Sequence, residues 1–427
     1  MTLADGDGQR VVVVGQGYVG LPLAMRAVAV GHDVTGLEVS IDRVKRLSAG
    51  ESFVEDVSAE TLQAALESGR YRVTDGAATL EGFDVAVVTV PTPLSEGVPD
   101  LSHIESAAKT LAPFVRAGCL VVLESTTYPG TTESIFAPLL EAGSGLRAGK
   151  DFGVGYSPER IDPGNREWTF ETTPKVVSGI DAPSLARTDS FYRSLVATTV
   201  TVSSPRSAEL TKLLENTFRH VNVALVNELA MLAADLDIDV WESIDAAATK
   251  PFGFMRFTPG PGVGGHCLPI DPSYLSWTVR QRLGRSFRFV ELANDINDHM
   301  PDYVVSRVVR ALNRQGRALS RARVLVLGLA YKKNSSDARE SPALALVAGL
   351  LREGAEVAAA DPHVVEEVLL DGSGVRRVTL SRVELERADV VILVTDHDAF
   401  DLALVTRHAR YVLDTRHRMA GDRVEHL

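Results

Sequence analysis

The chain has 427 residues, a length that suggests roughly three domains, and 45% of them are hydrophobic, enough to bury sizeable cores. With 44 basic against 56 acidic residues the formal charge is −12, which argues against a nucleic-acid or anionic-membrane surface and leaves room for a local basic pocket only. Two cysteines, Cys119 and Cys267, give neither a disulfide framework nor a zinc spacing, so no metal is expected, and the polar start MTLADGDGQR with no long apolar run predicts no leader, no membrane span and a cytoplasmic protein.

RVVVVGQGYVGLPLAMRAVAVGHDVTGLEVS reads as a β-branched strand, a glycine turn, an apolar helix closed by Gly31 and a second strand ending at Glu38. Gly15-Gln16-Gly17-Tyr18-Val19-Gly20 fits G-x-G-x-x-G between strand and helix, where glycines permit a tight turn and close approach of a pyrophosphate. Glu38, eighteen residues past Gly20, stands where an acidic side chain accepts from the adenosine ribose hydroxyls and repels a 2′-phosphate, so NAD is expected over NADP. A glycine turn serving packing alone is the plainer alternative; strand, helix and acid together weigh against it.

Buried-type strands follow at DVAVVTVPTP, CLVVLEST, FGVGYSPE and TTVTVSS, separated by helix-length segments, so the first ~200 residues read as a doubly wound parallel sheet. Thr92-Pro93, Ser125-Thr126-Thr127 and Ser157-Pro158-Glu159 fall at the carboxyl ends of strands, where such sheets bind ligands. Ser204-Pro205 is a helix start, and helical periodicity then runs for almost thirty residues, ~40 Å at 1.5 Å per residue. Lys212, Asn216, His220 and Asn227 form a polar stripe on that helix, which predicts a common polar cavity, with a solvated face as the alternative. A second α/β pattern starts at RVLVLGLAYKKN, and its strands AEVAAADP, ADVVILVTDHD and RYVLDTRH repeat the strand ends of the first in outline. The predicted class is α/β: two Rossmann-like doubly wound parallel-sheet domains joined by a long central helix, with boundaries at 1–204, 205–315 and 316–427.

PGPGVGGHCLPIDP places Cys267 in a loop of glycine and proline rather than among apolar neighbours. A packing cysteine normally sits inside an apolar element, as Cys119 does at the head of CLVVLEST. Cys267, with His266 beside it and Asp271 four residues on, reads instead as a thiolate nucleophile for carbonyl chemistry.

These residues carry a resemblance over nearly the whole chain. VVVVGQGYVGLPLA, VPTP with ESTTYPGTTE, YSPERIDPGN, ELTKLLENTFRHVNVALVNELA, GPGVGGHCLPIDP and LGLAYKKNSSDARES, in that order, resemble the UDP-glucose/GDP-mannose dehydrogenase family, the nucleotide-sugar 6-dehydrogenases. The resemblance implies an NAD domain, a central helical region that forms a homodimer, and a C-terminal domain that holds a nucleotide sugar. It implies that Cys267 is the catalytic thiol, Lys212 and Asn216 the oxyanion-stabilising pair, Asp271 a water-orienting acid, Thr126 a hydroxyl near the reacting carbon and Glu159 a carboxylate assisting hydrolysis. For the cofactor it implies Gly15, Gly17, Tyr18, Val19, Gly20, Glu38, Arg43, Thr92 and Thr126. For the substrate it implies Glu159, Arg160, Lys212, Asn216, Lys250, Gly264, Lys332 and Arg339.

The reaction so implied is a four-electron oxidation of a sugar CH₂OH to a carboxylate, using two NAD⁺ and a thiohemiacetal and thioester on Cys267. UDP-glucose dehydrogenases of the family commonly carry lysine where Ile270 stands, and Ile270, SPERIDPG and KPFGF are similar to the UDP-N-acetylhexosamine branch. Base and C2 substituent stay open: UDP- or dTDP-linked glucose or N-acetylhexosamine. Asp162 lies near the place of a second acid found in some members but is out of register. Two rivals accompany this reading, a two-electron hydroxyacid dehydrogenase, which needs no thiol, and a dinucleotide-binding regulator without turnover, against which Cys267, Lys212, Asn216 and Asp271 together speak.

Overall fold

Val11 to Val14 are four consecutive valines buried on both faces of the strand Arg10–Val14, the pattern of a parallel strand covered on two sides. In the computed structural model, which describes residues 8–95, 97–161, 165, 167–265, 268–364, 369–370 and 373–427, this strand is the inner member of a large sheet. Among the described residues the sheet runs, in spatial order, Thr199–Thr201, Lys175–Gly179, Gly153–Tyr156, Leu120–Leu123, Val85–Val88, Arg10–Val14, Asp33–Leu37, Tyr71–Thr74. The chain leaves the centre towards one edge, returns, and leaves towards the other. The switch point therefore lies between Arg10–Val14 and Val85–Val88, the place where such sheets bind ligands.

The sheet is parallel as expected except at one pair. Gly153–Tyr156 and Lys175–Gly179 run antiparallel, with Gly155 opposite Gly179 and Tyr156 opposite Ser178. A parallel neighbour needs a crossover, usually helical, and the described residues between Ser157 and Pro174 hold only turns and irregular chain.

Contacts divide the chain into two compact units, Met1–Glu215 and Asn216–Leu427. The predicted long helix is Pro205–Asp235, and it runs across that division. Its start is fixed locally, since Pro205 suits the first helical turn and Ser204 Oγ accepts from the Ser207 amide at 3.2 Å. In the second unit the sheet order is Arg376–Arg377, Glu356–Ala360, Arg323–Leu327, Val390–Leu393, Val412–Asp414, Val424–His426, all parallel. Val324 and Val326 enter one apolar cluster and Leu325 and Leu327 another, so this sheet too is buried on both faces.

The duplication suggested by the sequence extends to single bonds. Gly15 and Gly328 take φ of 90° and 91°, and their amides donate to Leu37 O at 2.8 Å and Ala360 O at 2.9 Å. Glu38 accepts from the Gln16 amide at 3.1 Å, as Asp361 accepts from Leu329 at 2.6 Å. The Thr89 amide donates to Val14 O at 2.9 Å, as the Val394 amide does to Leu327 O at 2.9 Å.

Gly179 ends its strand where helix Ala182–Leu195 turns back over the sheet, and a Cβ there would lie 2.2 Å from the Leu185 amide nitrogen. The obstacle is backbone and cannot swing away. Gly179→Ala is therefore expected to destabilise the first unit by roughly 1–3 kcal/mol, read as a lowered midpoint in denaturant with an unchanged slope; an unchanged midpoint would refute the packing.

Candidate active site

The glycine turn after Arg10–Val14 is built for a close ligand. A Cβ on Gly20 would stand 1.9 Å from Gly15 O, so helix and turn approach as only glycine allows, whereas a Cβ on Gly17 would meet nothing within 4 Å. Gln16 between them is fully buried; its Nε2 donates to Val13 O at 2.9 Å and Gly15 O at 3.1 Å, and its Oε1 accepts from Tyr71 OH at 2.7 Å. Burial, then the Glu38 charge, pushes the Tyr71 hydroxyl above the usual tyrosine range, which keeps it a neutral donor. Gln16 occupies a variable position of the glycine motif and Tyr71 stands between Arg70 and Arg72, so no local pattern pairs them.

Glu38 is buried, with Oε2 on the Gln16 amide, Oε1 on the Ser40 amide at 3.0 Å, and Arg43 Nη1 at 3.9 Å. A carboxylate has about four acceptor positions, so both oxygens keep capacity for ribose hydroxyls. Open backbone at Gly17, a helix starting at Gly20 and this anchored acid fit a dinucleotide. Tyr18 is exposed, Val19 precedes the helix, and Thr92 is buried beyond the neighbouring strand Val85–Val88.

A second group in the first unit surrounds Glu159, which is buried after the strand Gly153–Tyr156. Lys212 Nζ donates to Glu159 O at 2.6 Å. The Glu159 carboxylate accepts from the Arg160 amide at 2.6 Å and from the Ile161 amide. Arg160 itself reaches Glu215 at 2.8 Å and Pro174 O at 2.5 Å. Burial pushes the Glu159 carboxyl up, against the lowering pull of Lys212. Thr126 is half-buried in the loop after Leu120–Leu123. Glu209 fastens the next part of that loop, accepting from the Gly130 amide at 2.5 Å, the Thr132 amide at 2.9 Å and Thr132 Oγ1 at 2.7 Å. Glu209 thus ties the loop to the helix one turn before Lys212, a role no motif announces.

In the second unit Asn216 Nδ2 donates to Asp271, the first residue of helix Asp271–Leu283, and Arg219 donates to Asn216 Oδ1. The rest of the polar stripe does not open on a cavity as expected. His220 Nε2 lies 2.7 Å from Asn294 Oδ1, Asn227 Nδ2 donates to Asn297 Oδ1 at 2.9 Å, and the Gly260 amide donates to Asn227 Oδ1 at 2.9 Å. These residues pair two helices and a loop, because buried amides need partners.

His266 and Cys267 lie outside the described residues, as does Asp162. The glycines before Cys267 have a packing reason: a Cβ on Gly264 would lie 2.6 Å from Glu340 O, and one on Gly265 2.7 Å from the Tyr331 ring. Lys332 and Arg339 belong to the same 331–340 turn, where Arg339 forks onto Asp337 at 2.6 and 2.9 Å. Lys250 is exposed with its ammonium 5.0 Å from the Phe252 ring centre. Cys119 is buried, and burial pushes its thiol above the ordinary range, as a packing residue requires.

Comparison with known proteins agrees with this architecture. The NAD binding domain of the UDP-glucose/GDP-mannose dehydrogenase family matches residues 9–196, its central domain 206–299 and its UDP binding domain 325–420. The chain belongs to the UDP-glucose/GDP-mannose dehydrogenase family. It is an NAD-dependent nucleotide-sugar dehydrogenase. A UDP-N-acetyl-D-mannosamine dehydrogenase of Pyrococcus horikoshii is 37% identical over 92% of this chain and 90% of that protein. A UDP-N-acetyl-D-glucosamine 6-dehydrogenase of Pseudomonas aeruginosa is 38% identical over 92% of this chain and 91% of its own. Among solved structures, a UDP-D-ManNAc dehydrogenase of Pyrococcus horikoshii superposes with a TM-score of 0.89 at 34% identity, covering 98% of both chains. In this dehydrogenase no helix among the described residues is long and apolar enough to cross a membrane.

Glu38→Gln removes the charge while keeping an acceptor, so NAD⁺ is expected to bind about tenfold more weakly and the preference over NADP⁺ to narrow. Cofactor titration of both checks this; an unchanged NAD⁺/NADP⁺ ratio would refute the ribose contact.

Proposed function

We propose that this protein oxidises the C6 hydroxymethyl of a UDP-linked N-acetylhexosamine to the uronic acid in two steps. The observation that carries the reading is a buried cation at the carboxyl end of the first sheet: Lys212, 8% exposed, bonded to the backbone of Glu159. Full-length similarity to two UDP-N-acetylhexosamine dehydrogenases supports the sugar class, and Ile270 agrees with that branch.

When bound, NAD supplies the hydride acceptor, used twice per sugar. The C6 hydroxyl, oriented by Thr126, loses its proton to a water held by Asp271 as C6 gives up its hydride. Lys212 and Asn216 donate to the oxygen as negative charge develops on it, leaving the aldehyde. The Cys267 sulfur adds to the aldehyde carbon, and oxidation of the resulting thiohemiacetal leaves a thioester. Water adds to the thioester carbonyl, its proton passing through Glu159 or Asp271 to the departing sulfur, so the C–S bond breaks and the uronic acid leaves. For the nucleotide sugar the proposed residues are Arg160 in the first unit and Lys250, Gly264, Lys332 and Arg339 in the second, with Arg339 suited to paired bonds to the diphosphate. A cytoplasmic setting suits a catalytic thiol that must stay reduced.

The experiment is NADH counted per sugar nucleotide over a panel of UDP- and dTDP-linked hexoses and N-acetylhexosamines. Two NADH with a UDP-N-acetylhexosamine are expected; one NADH, or selective turnover of a dTDP-sugar, would overturn the reading. Cys267→Ser should fold and bind NAD⁺ but lose turnover by about 10³-fold or more, while Cys119→Ser behaves nearly as wild type. Near-normal uronate release by Cys267→Ser would end the covalent mechanism.

The segment 205–315 is proposed as the dimer-forming region. Phe218, Leu225, Leu229 and Leu232 recur at spacings of seven, four and three along the long helix and are 44–54% exposed. That is the seam of a helix packed against a partner helix, and a second copy of this chain is the proposed occupant. Each leucine covered contributes about 1.5–3 kcal/mol, so a Leu225→Glu/Leu229→Glu pair should sediment as monomer where wild type sediments as dimer. A dimer surviving both changes would place the interface elsewhere.

A further inference from the structure

Glu159 is held from two sides. Its Oε1 is taken by the Arg160 and Ile161 amides, and its Oε2 lies 3.3 Å from the ammonium of Lys175. Lys175 opens the strand Lys175–Gly179, is 4% exposed, and has no part in the chemistry above. The same ammonium pairs with Glu124, fully buried at the end of Leu120–Leu123, whose other oxygen accepts from Tyr192 OH at 2.9 Å. The Phe170 and Tyr192 rings stand 5.5 and 5.4 Å from it, within cation–π range.

An ammonium that only balanced Glu124 would need no second carboxylate, and burying charge is costly enough that each partner must be accounted for. Here the second carboxylate is Glu159, and Lys175 approaches the oxygen that the backbone amides leave open. We propose that Lys175, fixed by Glu124 and Tyr192, is a positioning residue that holds the Glu159 carboxylate for the water-consuming step.

This rests on the assignment of Glu159 to thioester hydrolysis. In that step the water oxygen bonds to the thioester carbon, the proton passes by way of Glu159 to sulfur, and the C–S bond breaks. Two amides on Oε1 and Lys175 beside Oε2 fix the plane of the carboxylate, which sets where its lone pairs point. Burial raises the Glu159 carboxyl, and burial with the Lys212 charge pushes the Lys175 ammonium well down.

The test uses whichever UDP-N-acetylhexosamine the wild-type protein oxidises, with rapid-quench counting of NADH and mass spectrometry of Cys267. Lys175→Met is expected to release NADH in a burst and then slow by about 10²-fold, with the acyl adduct accumulating on Cys267 and KM for NAD⁺ within about twofold of wild type. Lys175→Arg keeps the charge and should regain most of the rate. Glu159→Gln should stall in the same way, and the double variant should be no slower than the slower single, because residues that act through one another are not additive. If Lys175→Met turns over at the wild-type rate, or slows without burst or adduct while Glu159→Gln stalls, the lysine proposal falls alone. If Glu159→Gln neither slows nor stalls, the hydrolytic reading of Glu159 falls and takes this proposal with it. Should Lys175→Met not fold, Tyr192→Phe, which deletes only a hydroxyl on Glu124, must give a milder burst and stall; its wild-type turnover would overturn the proposal.

Discussion

Burial of charge beside Glu159 is the constraint on which the first unit's functional end depends. An ion taken out of water costs several kcal/mol even after the protein relaxes around it, and Lys175, Glu124, Glu159 and Lys212 are all at most 9% exposed. Each is met by a specific partner: carboxylate against ammonium, hydroxyl against carboxylate, carbonyl against the second ammonium. Those partners come from three neighbouring strands, the helix Ala182–Leu195 and the long helix, so packing and electrostatics are one problem here. Moving any element by an ångström leaves a buried charge without its partner.

The turn that follows each central strand shows a second economy. A left-handed glycine and a carboxylate after the next strand that accepts from the amide following that glycine recur in both units. What differs is the use of the carboxylate. Glu38 has two backbone amides and Arg43 nearby, whereas Asp361 also accepts from the His363 and Val364 amides and lies 3.0 Å from His397 Nε2. Burial alone would raise the Asp361 carboxyl, but the imidazole and amides hold it well below the usual range. The same backbone device thus leaves an acid with two amide partners in one unit and ties it to its own loop in the other.

How legible all this is in the sequence follows from the range of the interactions. Valine runs, the glycine motif with Glu38 and the start of the long helix are local patterns, and the structure forms them as read. Strands Tyr71–Thr74 and Lys175–Gly179 escape because they carry polar residues and little alternation, and the second reverses the sheet direction. Lys175 and Glu124 are 51 residues apart and Glu209 is 77 from Thr132, in segments with no shared motif, so nothing local pairs them. His220 and Asn227 read as a site because polar residues on an apolar helix imply a polar partner; the partner is another helix. Gly264 and Gly265 lie against Glu340 and Tyr331, residues of a distant segment that no local pattern names.

The division at Glu215 has a consequence for how the chain is made. Among the described residues the partners of the Glu159 cluster lie before residue 216, Lys212 and, through Arg160, Glu215 being the last to appear. Domains fold as units during synthesis, the N-terminal one first. A ribosome that has released little more than the first half of the message has therefore already supplied all that those buried ions need, and the nascent first unit can close over them before the second begins to emerge.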